Sequence, residues 1–208
     1  MNIETIYHKD WQINRMNFIL SMYSEDFFKD KKILELGSYN GYFGEFFRKM
    51  GATVLSVEGR PQNVSSIKHN FPELPVECRD LDTDTWEWGR WDIIINFGLL
   101  YHFEKYHKEH LENCLKNCDL LFLESVIYDS YNSEIFFKNE SGGDQSLSDV
   151  GGTPSTTYVE NILNNLNTKF TKYSNSSLNG NGHHYDWLDK GLNNYDGFAR
   201  RFWIIEKI

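Results

Sequence analysis

The chain has 208 residues, a length that suits one domain with a sizeable buried core. Hydrophobic residues make up 40% of it, aromatic residues 16% and charged residues 25%, which excludes a disordered or low-complexity protein. The net charge of −9 disfavours nucleic acid or an anionic membrane as the main partner, because phosphate binders usually carry a basic surface.

Signals for export, membrane insertion and metal binding are weak. Three cysteines do not make a disulfide framework, no apolar run approaches the ~20 residues of a membrane span, and no signal-peptide pattern is visible. We therefore expect a cytoplasmic protein. His183, His184 and Asp186 form a polar group, but adjacent side chains rarely converge on one ion, so no metal site is predicted.

Helical periodicities and apolar runs alternate along the chain. The predicted helices cover residues 10–29, 42–50, 61–70, 104–117 and 154–166, the last with Thr153 as its amino-terminal cap. The predicted strands cover residues 31–36, 53–57, 74–78, 91–96, 119–125, 170–174 and 198–205. Because apolar strands alternate with helices, we expect a parallel sheet covered by helices on both sides, which is a three-layer α/β/α fold.

The segment from Ile33 to Gly44 reads ILELGSYNGYFG and predicts a ligand site. A buried strand runs there into a glycine-containing turn and then into a helix, whose first N–H groups are free to bind a ligand. Ligands of open parallel sheets bind beyond the carboxyl ends of the strands. The spacing GxxxGxxG differs from the GxGxxG of dinucleotide-binding proteins and disfavours a nicotinamide-dependent oxidoreductase.

Four segments, in order, resemble the motifs of the class I S-adenosylmethionine-dependent methyltransferases. ELGSYNG is similar to the first motif, with Tyr39 at the place of the usual middle glycine, and SVEGRP is similar to the second. CRDLDT resembles the adenine-binding motif, and WDIIINFGLLYHF resembles the fourth-strand motif. The resemblance runs from about residue 31 to residue 126 and implies a mostly parallel seven-stranded sheet that ends in an antiparallel hairpin.

The same resemblance implies S-adenosylmethionine as the cofactor and assigns its contacts. Glu35 is expected near the methionine amino group and Glu58 on the ribose hydroxyls. Asp80, favoured over Asp82, is expected at the adenine amine, with Leu81 under the ring. The other expected cofactor-binding residues are Gly37, Ser38, Tyr39, Asn40, Gly41, Phe43, Gly59, Asn96, Phe97 and Gly98.

His102 and Glu124 are the candidate catalytic residues, because they follow the fourth strand and end the fifth, where an acceptor would approach. Imidazole titrates near neutral pH, so His102 could act as a general base, or it could simply pack and hydrogen-bond its loop. Glu124 could bind or deprotonate the acceptor. Two polar segments, residues 128–152 and 175–197, are predicted to be loops that form a pocket and lid at the same mouth.

One domain is expected, with residues 1–30 as a helical lid, 31–126 as the cofactor-binding core, and 127–208 as substrate-side loops and hairpin. We expect methyl transfer to oxygen or nitrogen of a small molecule. The stretch NFGLLYHF and the later GGTPSTTYVENIL more loosely resemble the wobble-uridine carboxymethyltransferases of tRNA, whose carboxylated cofactor and substrate are not carried over to this acidic chain.

Two alternatives remain open. A tRNA-modifying enzyme predicts a local basic surface, formed for example by Lys105, Lys108, Arg200 and Arg201. A non-catalytic domain would bind the cofactor without transferring its methyl group. The sequence at the end of the fourth strand, Asn96 to Leu99, differs from an NPPY motif and disfavours amino groups of nucleobases or glutamine as acceptors.

Overall fold

A computed structural model describes residues 9–83, 85–142 and 145–207 of the chain. Its helices are α1 (Asp10–Met22), α2 (Tyr42–Lys49), α3 (Pro61–Asn70), α4 (His107–Asn117) and α5 (Thr156–Asn165). Its strands are β1 (Lys32–Leu36), β2 (Thr53–Glu58), β3 (Val76–Cys78), β4 (Trp91–Phe97), β5 (Cys118–Asp129), β6 (Ile135–Asn139), β7 (Val150–Pro154), β8 (Lys169–Tyr173) and β9 (Asn194–Glu206).

Seven strands form one sheet in the order β3-β2-β1-β4-β5-β9-β8, and the first five of these are parallel. Strand β9 is antiparallel to both β5 and β8, so the last two strands form the expected antiparallel hairpin. The chain runs from β1 out to β3 at one edge and then crosses back to β4, so the strand order reverses between β1 and β4. This reversal of direction is the place where a parallel sheet opens a crevice for a ligand.

Helices cover both faces of the sheet. On one face α1, α2 and α3 bury Met16, Phe47 and Ile67 against the sheet, and on the other α4 and α5 bury Leu111 and Leu163. The apolar strands are therefore buried on both sides, as a parallel sheet requires. The predicted three-layer α/β/α class is confirmed, and burial of two apolar faces is its main source of stability.

The segment predicted as a loop over residues 128–152 contains the end of one strand and most of a two-stranded hairpin, so the prediction of a continuous loop is wrong. Strand β5 continues to Asp129, and β6 pairs with β7 in an antiparallel hairpin. The run IFFKN alternates too weakly to be recognised, and it is stabilised by stacking of Phe136 between Tyr128 and Tyr195. Residues 143 and 144 of the predicted loop, and residues 1–8 of the predicted lid, lie outside the described residues.

Several element boundaries also differ from prediction. The first helix ends at Met22 and is followed by a separate short 3₁₀ turn. Helix α5 begins at Thr156, and Ser155 is its cap, with the hydroxyl accepting a bond from the Tyr158 N–H. Pro154 belongs to β7, because it pairs with Ile135 there, so Thr153 cannot cap the helix.

Two of the four residues suggested for the basic surface of a tRNA-modifying enzyme are buried. Arg200 and Arg201 are 6% and 1% exposed, because β9 lies inside the sheet between β5 and β8. Only Lys105 and Lys108 of the four candidates are exposed. Within the described residues, no helix combines the length and hydropathy needed to cross a membrane.

Candidate functional site

A cavity of about 380 Å³ lies beyond the carboxyl ends of β1, β2, β3 and β4. The start of α1 and the turn between β6 and β7 also contribute to its wall. The predicted site residues among those that line it are Glu35, Gly37, Ser38, Tyr39, Phe43, Glu58, Gly59, Asp80, Leu81, Phe97, Gly98 and His102. The sheet therefore gathers most of the predicted residues at one place, as its parallel topology requires.

The turn after β1 takes a backbone shape that glycine favours. Gly37 and Gly41 have φ angles of 70° and 75°, in the left-handed region. Tyr39 also has a positive φ, 50°, and its N–H donates to a carboxylate oxygen of Glu58 over 2.8 Å. This bond helps to hold a residue with a side chain in a conformation that normally costs energy. The turn is thus fixed by the acid that ends the next strand.

Glu58 is 7% exposed and has a second anchor beyond the turn. Its other oxygen accepts from the Arg60 N–H over 3.0 Å and from the Asn63 amide. These bonds hold the carboxylate at the end of β2, facing the cavity. A carboxylate in this place can accept both hydroxyls of a ribose.

Glu35 lies deeper, at 2% exposure, and one of its oxygens accepts a bond from the Ser56 hydroxyl. Gly44 lets the helix pack this closely, because a side chain there would collide with both groups. Burial raises the pKa of Glu35 to about 8, although bonds from Ser56 and the Gly44 backbone oppose the shift. Within the described residues its second oxygen is buried without a hydrogen-bond partner, so it can accept one from a ligand.

Asp80 and Asp82 have different surroundings, although both line the cavity. The Asp82 carboxylate accepts from three successive backbone N–H groups, those of Glu104, Lys105 and Tyr106, just before α4. The Asp82 carboxylate is therefore occupied by backbone N–H groups of the segment that leads into α4. Asp80 is exposed and accepts only from the Asp82 N–H among the described residues, which leaves the carboxylate free for a ligand.

Three predicted cofactor-binding residues lie behind the wall. The Asn40 side chain accepts from the Tyr42 N–H and from Gln12, which joins the turn to α1. Gly41 packs against Ile67 at the start of α2. Asn96 is fully buried, with its amide nitrogen 2.7 Å from His110. Their side chains therefore support the turn and the end of β4.

His102 faces the cavity and is held by a carboxylate. Its Nδ1 lies 2.7 Å from Oε2 of Glu140, which belongs to the turn between β6 and β7. A carboxylate accepts hydrogen bonds, so it favours a proton on Nδ1 and a lone pair on Nε2. Among the described residues, none hydrogen-bonds to Nε2 of His102. The arrangement suits a general base of fixed orientation.

Glu124 does not reach the cavity wall, which argues against the predicted direct role. It is fully buried and bonds to three groups: Arg15 at 2.9 Å, Arg200 at 3.0 Å and the Tyr185 hydroxyl at 3.0 Å. Burial alone would raise the pKa of Glu124, but the two guanidinium groups outweigh it and hold the pKa below its ordinary value. The group stays ionised and cannot accept a proton near neutral pH.

The two arginines that Glu124 holds do line the cavity. Arg15 stacks on Trp11, with 4.5 Å between the guanidinium and the ring centroid, and Arg200 lies 3.4 Å from the Tyr101 hydroxyl. His183 lines the cavity beside them, and its Nδ1 is 3.3 Å from Arg15. Burial and then the two arginines lower the pKa of His183 to about 3. The side chain is therefore neutral.

No metal cluster forms around His183. Asp186 accepts a bond from Asn179, away from the Arg15 side of His183. Across residues 9–83, 85–142 and 145–207, no group of three or more His, Cys, Asp or Glu side chains has metal-ligand geometry.

The turn between β6 and β7 leans over the part of the cavity near Glu58, the expected ribose ligand; this part is called the nucleoside end. Gln145, Ser146, Leu147 and Ser148 line it, and the Arg60 guanidinium donates to the carbonyl oxygens of Gln145 and Ser146. Gly59 leaves room for Leu147, whose Cδ1 would lie 2.6 Å from any added Cβ. The segment predicted to be a lid thus contacts Gly59 and Arg60, which follow β2.

Sequence reasoning missed Arg15, Tyr101, Glu140, Leu147 and Arg200 as site residues. Arg15 alone carries a signal, since a charged residue interrupts the apolar face of α1. The others depend on contacts between distant parts of the chain, such as the 76-residue separation of Glu124 and Arg200. No local pattern records such contacts.

The model of the family described as "Methyltransferase domain" matches residues 10–184 of this chain. Among curated proteins, the chain is similar to the tRNA U34 carboxymethyltransferase of Ruthia magnifica subsp. Calyptogena magnifica. The two are 31% identical over 110 residues, which cover 49% of this chain and 34% of that relative. The match therefore spans about a third of the relative's length.

Solved structures share the fold at low sequence identity. The N-terminal domain of EvdMO1 with SAH bound has a TM-score of 0.66 at 15% identity. The match covers 97% of this chain and 82% of the EvdMO1 chain. An S-adenosylmethionine-dependent methyltransferase from Mesorhizobium loti has a TM-score of 0.66 at 12% identity, with coverages of 93% and 98%. The magnesium protoporphyrin IX methyltransferase of Synechocystis PCC 6803 with SAH bound has a TM-score of 0.62 at 11% identity, with coverages of 96% and 86%.

Proposed function

Since the chain belongs to the class I S-adenosylmethionine-dependent methyltransferases, we propose that it transfers a methyl group from this cofactor to an oxygen or nitrogen atom of a small-molecule acceptor. The observation that carries the proposal is the buried, unpartnered oxygen of Glu35 in the same cavity as Glu58 and His102. One end of the cavity offers acceptors for an amino group and a ribose. The other end offers a base.

The residues present fit the cofactor in chemical terms. Glu58 would accept the ribose hydroxyls, Asp80 the adenine amine, and Glu35 the methionine ammonium, with Leu81 under the adenine ring. Bound S-adenosylmethionine supplies a methyl group made electrophilic by its sulfonium. The protein then contributes mainly the alignment of the acceptor with that methyl group.

His102 would act on the acceptor. Its Nε2 can take the proton of an acceptor hydroxyl or ammonium group, and Glu140 stabilises the imidazolium that results. With that proton held by His102, the acceptor atom would keep a lone pair free to take the methyl group that bound S-adenosylmethionine would supply. We propose that α1 and the turn between β6 and β7 keep water from this step by covering the cavity.

Calorimetric titration with S-adenosylhomocysteine, and separately with NAD, tests the cofactor. We expect micromolar binding of S-adenosylhomocysteine, no binding of NAD, and a loss of at least about tenfold in Glu58→Ala. Asp119→Asn is the matched control, since Asp119 is exposed at the amino end of β5, at the opposite end of the strands from the cavity. Binding of NAD instead would exclude the proposed cofactor.

The alternative of a tRNA substrate is favoured by the likeness to the tRNA U34 carboxymethyltransferase. It is weakened by the burial of Arg200 and Arg201, which removes half of the predicted basic surface. Transfer of label from methyl-labelled S-adenosylmethionine distinguishes the two acceptors. We expect label in a pool of metabolites and none in tRNA. Tight cofactor binding with no label in either pool would favour the non-catalytic alternative.

A further inference from the structure

A buried cluster with an excess of positive charge lies beside the proposed methyl-transfer position. Arg15 and Arg200 are 1% and 6% exposed, and both line the cavity. Glu124 lies between them and contacts both, at 2.9 Å and 3.0 Å. Two guanidinium groups therefore share a single carboxylate, which leaves one positive charge without a buried counterion.

The other polar groups of the cluster do not supply the missing charge. Desolvation raises the pKa of Tyr185 above its ordinary value, so its hydroxyl is neutral. His183 is neutral as well, as described above. Lys9 lines the cavity on the same side and adds positive charge. The acids of the cavity wall are Glu35, Glu58, Asp80 and Asp82, which end β1 and β2 or follow β3 at the nucleoside end.

Arg200 also has unused hydrogen-bonding capacity. Its Nε is buried and has no hydrogen-bond partner in the part of the chain that the structure describes. An uncompensated buried charge is costly, and a guanidinium group is suited to bidentate bonds with an oxyanion. A ligand that carries an oxyanion would satisfy both the charge and the free N–H.

We propose that Arg15 and Arg200, with the Tyr101 hydroxyl, bind an oxyanion group of the methyl acceptor, a carboxylate or a phosphate. This inference rests on the proposed function and specifies its substrate class. Gly98, at the end of β4, lies against the site, since an added Cβ there would be 3.8 Å from Arg200 Nη1. The centroids of the His102 and Tyr101 rings are 4.0 Å apart, so the base and the oxyanion site are neighbours.

Aromatic side chains line the approach to the two arginines. Arg15 lies over the Trp11 ring at 4.5 Å and near the Phe97 ring at 5.7 Å, and Arg200 lies 5.3 Å from the Tyr101 ring centroid. These rings can pack on an apolar body that carries the oxyanion. Benzoate and phenyl phosphate are therefore suitable probes, and benzamide is a neutral probe of the same shape as benzoate.

The test is a ligand-observed NMR titration of the wild-type protein saturated with S-adenosylhomocysteine. We expect benzoate or phenyl phosphate to bind at least about tenfold more tightly than benzamide, because charge-assisted bonds distinguish them. The stronger of the two anions identifies the carboxylate or phosphate source. Equal affinity for benzamide and both anions would overturn the proposal. Failure of S-adenosylhomocysteine itself to bind would instead contradict the proposed function.

Variants locate the effect. Arg200→Met leaves Glu124 paired with Arg15, so it should fold and should lose the preference for the anion. Arg201→Met is the matched control, because Arg201 is the neighbouring buried arginine on β9 but pairs with Asp189, away from the cavity. It should keep the preference. A loss of S-adenosylhomocysteine affinity of tenfold or more in Arg200→Met alone would assign the arginine to the cofactor and overturn the proposal. If Arg200→Met does not fold, the comparison of benzamide with the two anions on the wild-type protein still tests the proposal.

Discussion

The two ends of the cavity are built in different ways. The nucleoside end is made by short turns that follow β1, β2 and β3, and its acids Glu35 and Glu58 are held by groups within about 25 residues of them. The acceptor end, which holds Arg15, His102 and Arg200, is made by α1, β9 and the residues after β4, with Glu124 and Glu140 as supports behind them, and its bonds join residues up to 170 positions apart. Local construction keeps the first end recognisable in sequence. Distant pairing hides the second.

The largest expected effect, on the free energy of unfolding, comes from a substitution that disrupts the acceptor end. Replacing Glu124 with Ala leaves Arg15 and Arg200 buried without a counterion, which should cost about 3–5 kcal/mol of the free energy of unfolding. Urea unfolding measures this loss. Glu206→Ala, which removes an exposed ion pair with Lys169, should change stability far less, because water screens that pair. Equal losses in the two variants would show that the cluster is not a structural centre.

The next effect separates catalysis from cofactor binding. His102→Gln should lower the rate of methyl transfer by about 10²–10⁴-fold, since a general base contributes that much. Glu140→Gln should lower it less, because the base remains but loses the carboxylate that orients it. Titration with S-adenosylhomocysteine should give affinities within about twofold of wild type in both. A wild-type rate in His102→Gln would show that the histidine only packs its loop.

A smaller effect concerns the nucleoside end and depends on pH. The pKa of Glu35 is raised to about 8, so the carboxyl group is mostly protonated at pH 7 and must release a proton to bind an ammonium group. Affinity for S-adenosylhomocysteine should therefore fall as the pH falls below 8, by about fivefold between pH 8 and pH 7. Titration at both pH values measures this. Glu35→Gln should remove the dependence, and an unchanged slope in that variant would assign it to another group.

The smallest expected effect concerns the contact between Arg60 and the β6–β7 turn, which links the two ends of the cavity. Arg60→Ala removes the bonds to the carbonyl oxygens of Gln145 and Ser146, which are partly exposed and worth about 0.5–1.5 kcal/mol. Affinity for S-adenosylhomocysteine should fall by about two- to tenfold. Limited proteolysis should cut the β6–β7 turn more rapidly. Unchanged affinity and proteolysis would show that the turn does not cover the bound cofactor.

The sequence allowed prediction of the sheet, of most of the nucleoside wall and of the position of His102. Local rules were sufficient there, since a buried strand, a turn with positive φ and a helix start have residue preferences of their own. The hairpin of β6 and β7 was missed because β6 is largely exposed and β7, which reads VGGTP, contains two glycines and a proline that are unfavourable in strands. Arg200 was expected at the surface because charged residues normally lie there, and only the partner Glu124 makes its burial tolerable.

The bond between His102 and Glu140 has a consequence for the timing of the reaction. Glu140 belongs to the turn that leans over the cavity, so the imidazole has its carboxylate partner only while that turn is in place. Enclosure and activation of the base are then one event. A molecule with the turn displaced would hold an imidazole without the carboxylate that orients it, and water would reach the methyl donor in the opened cavity.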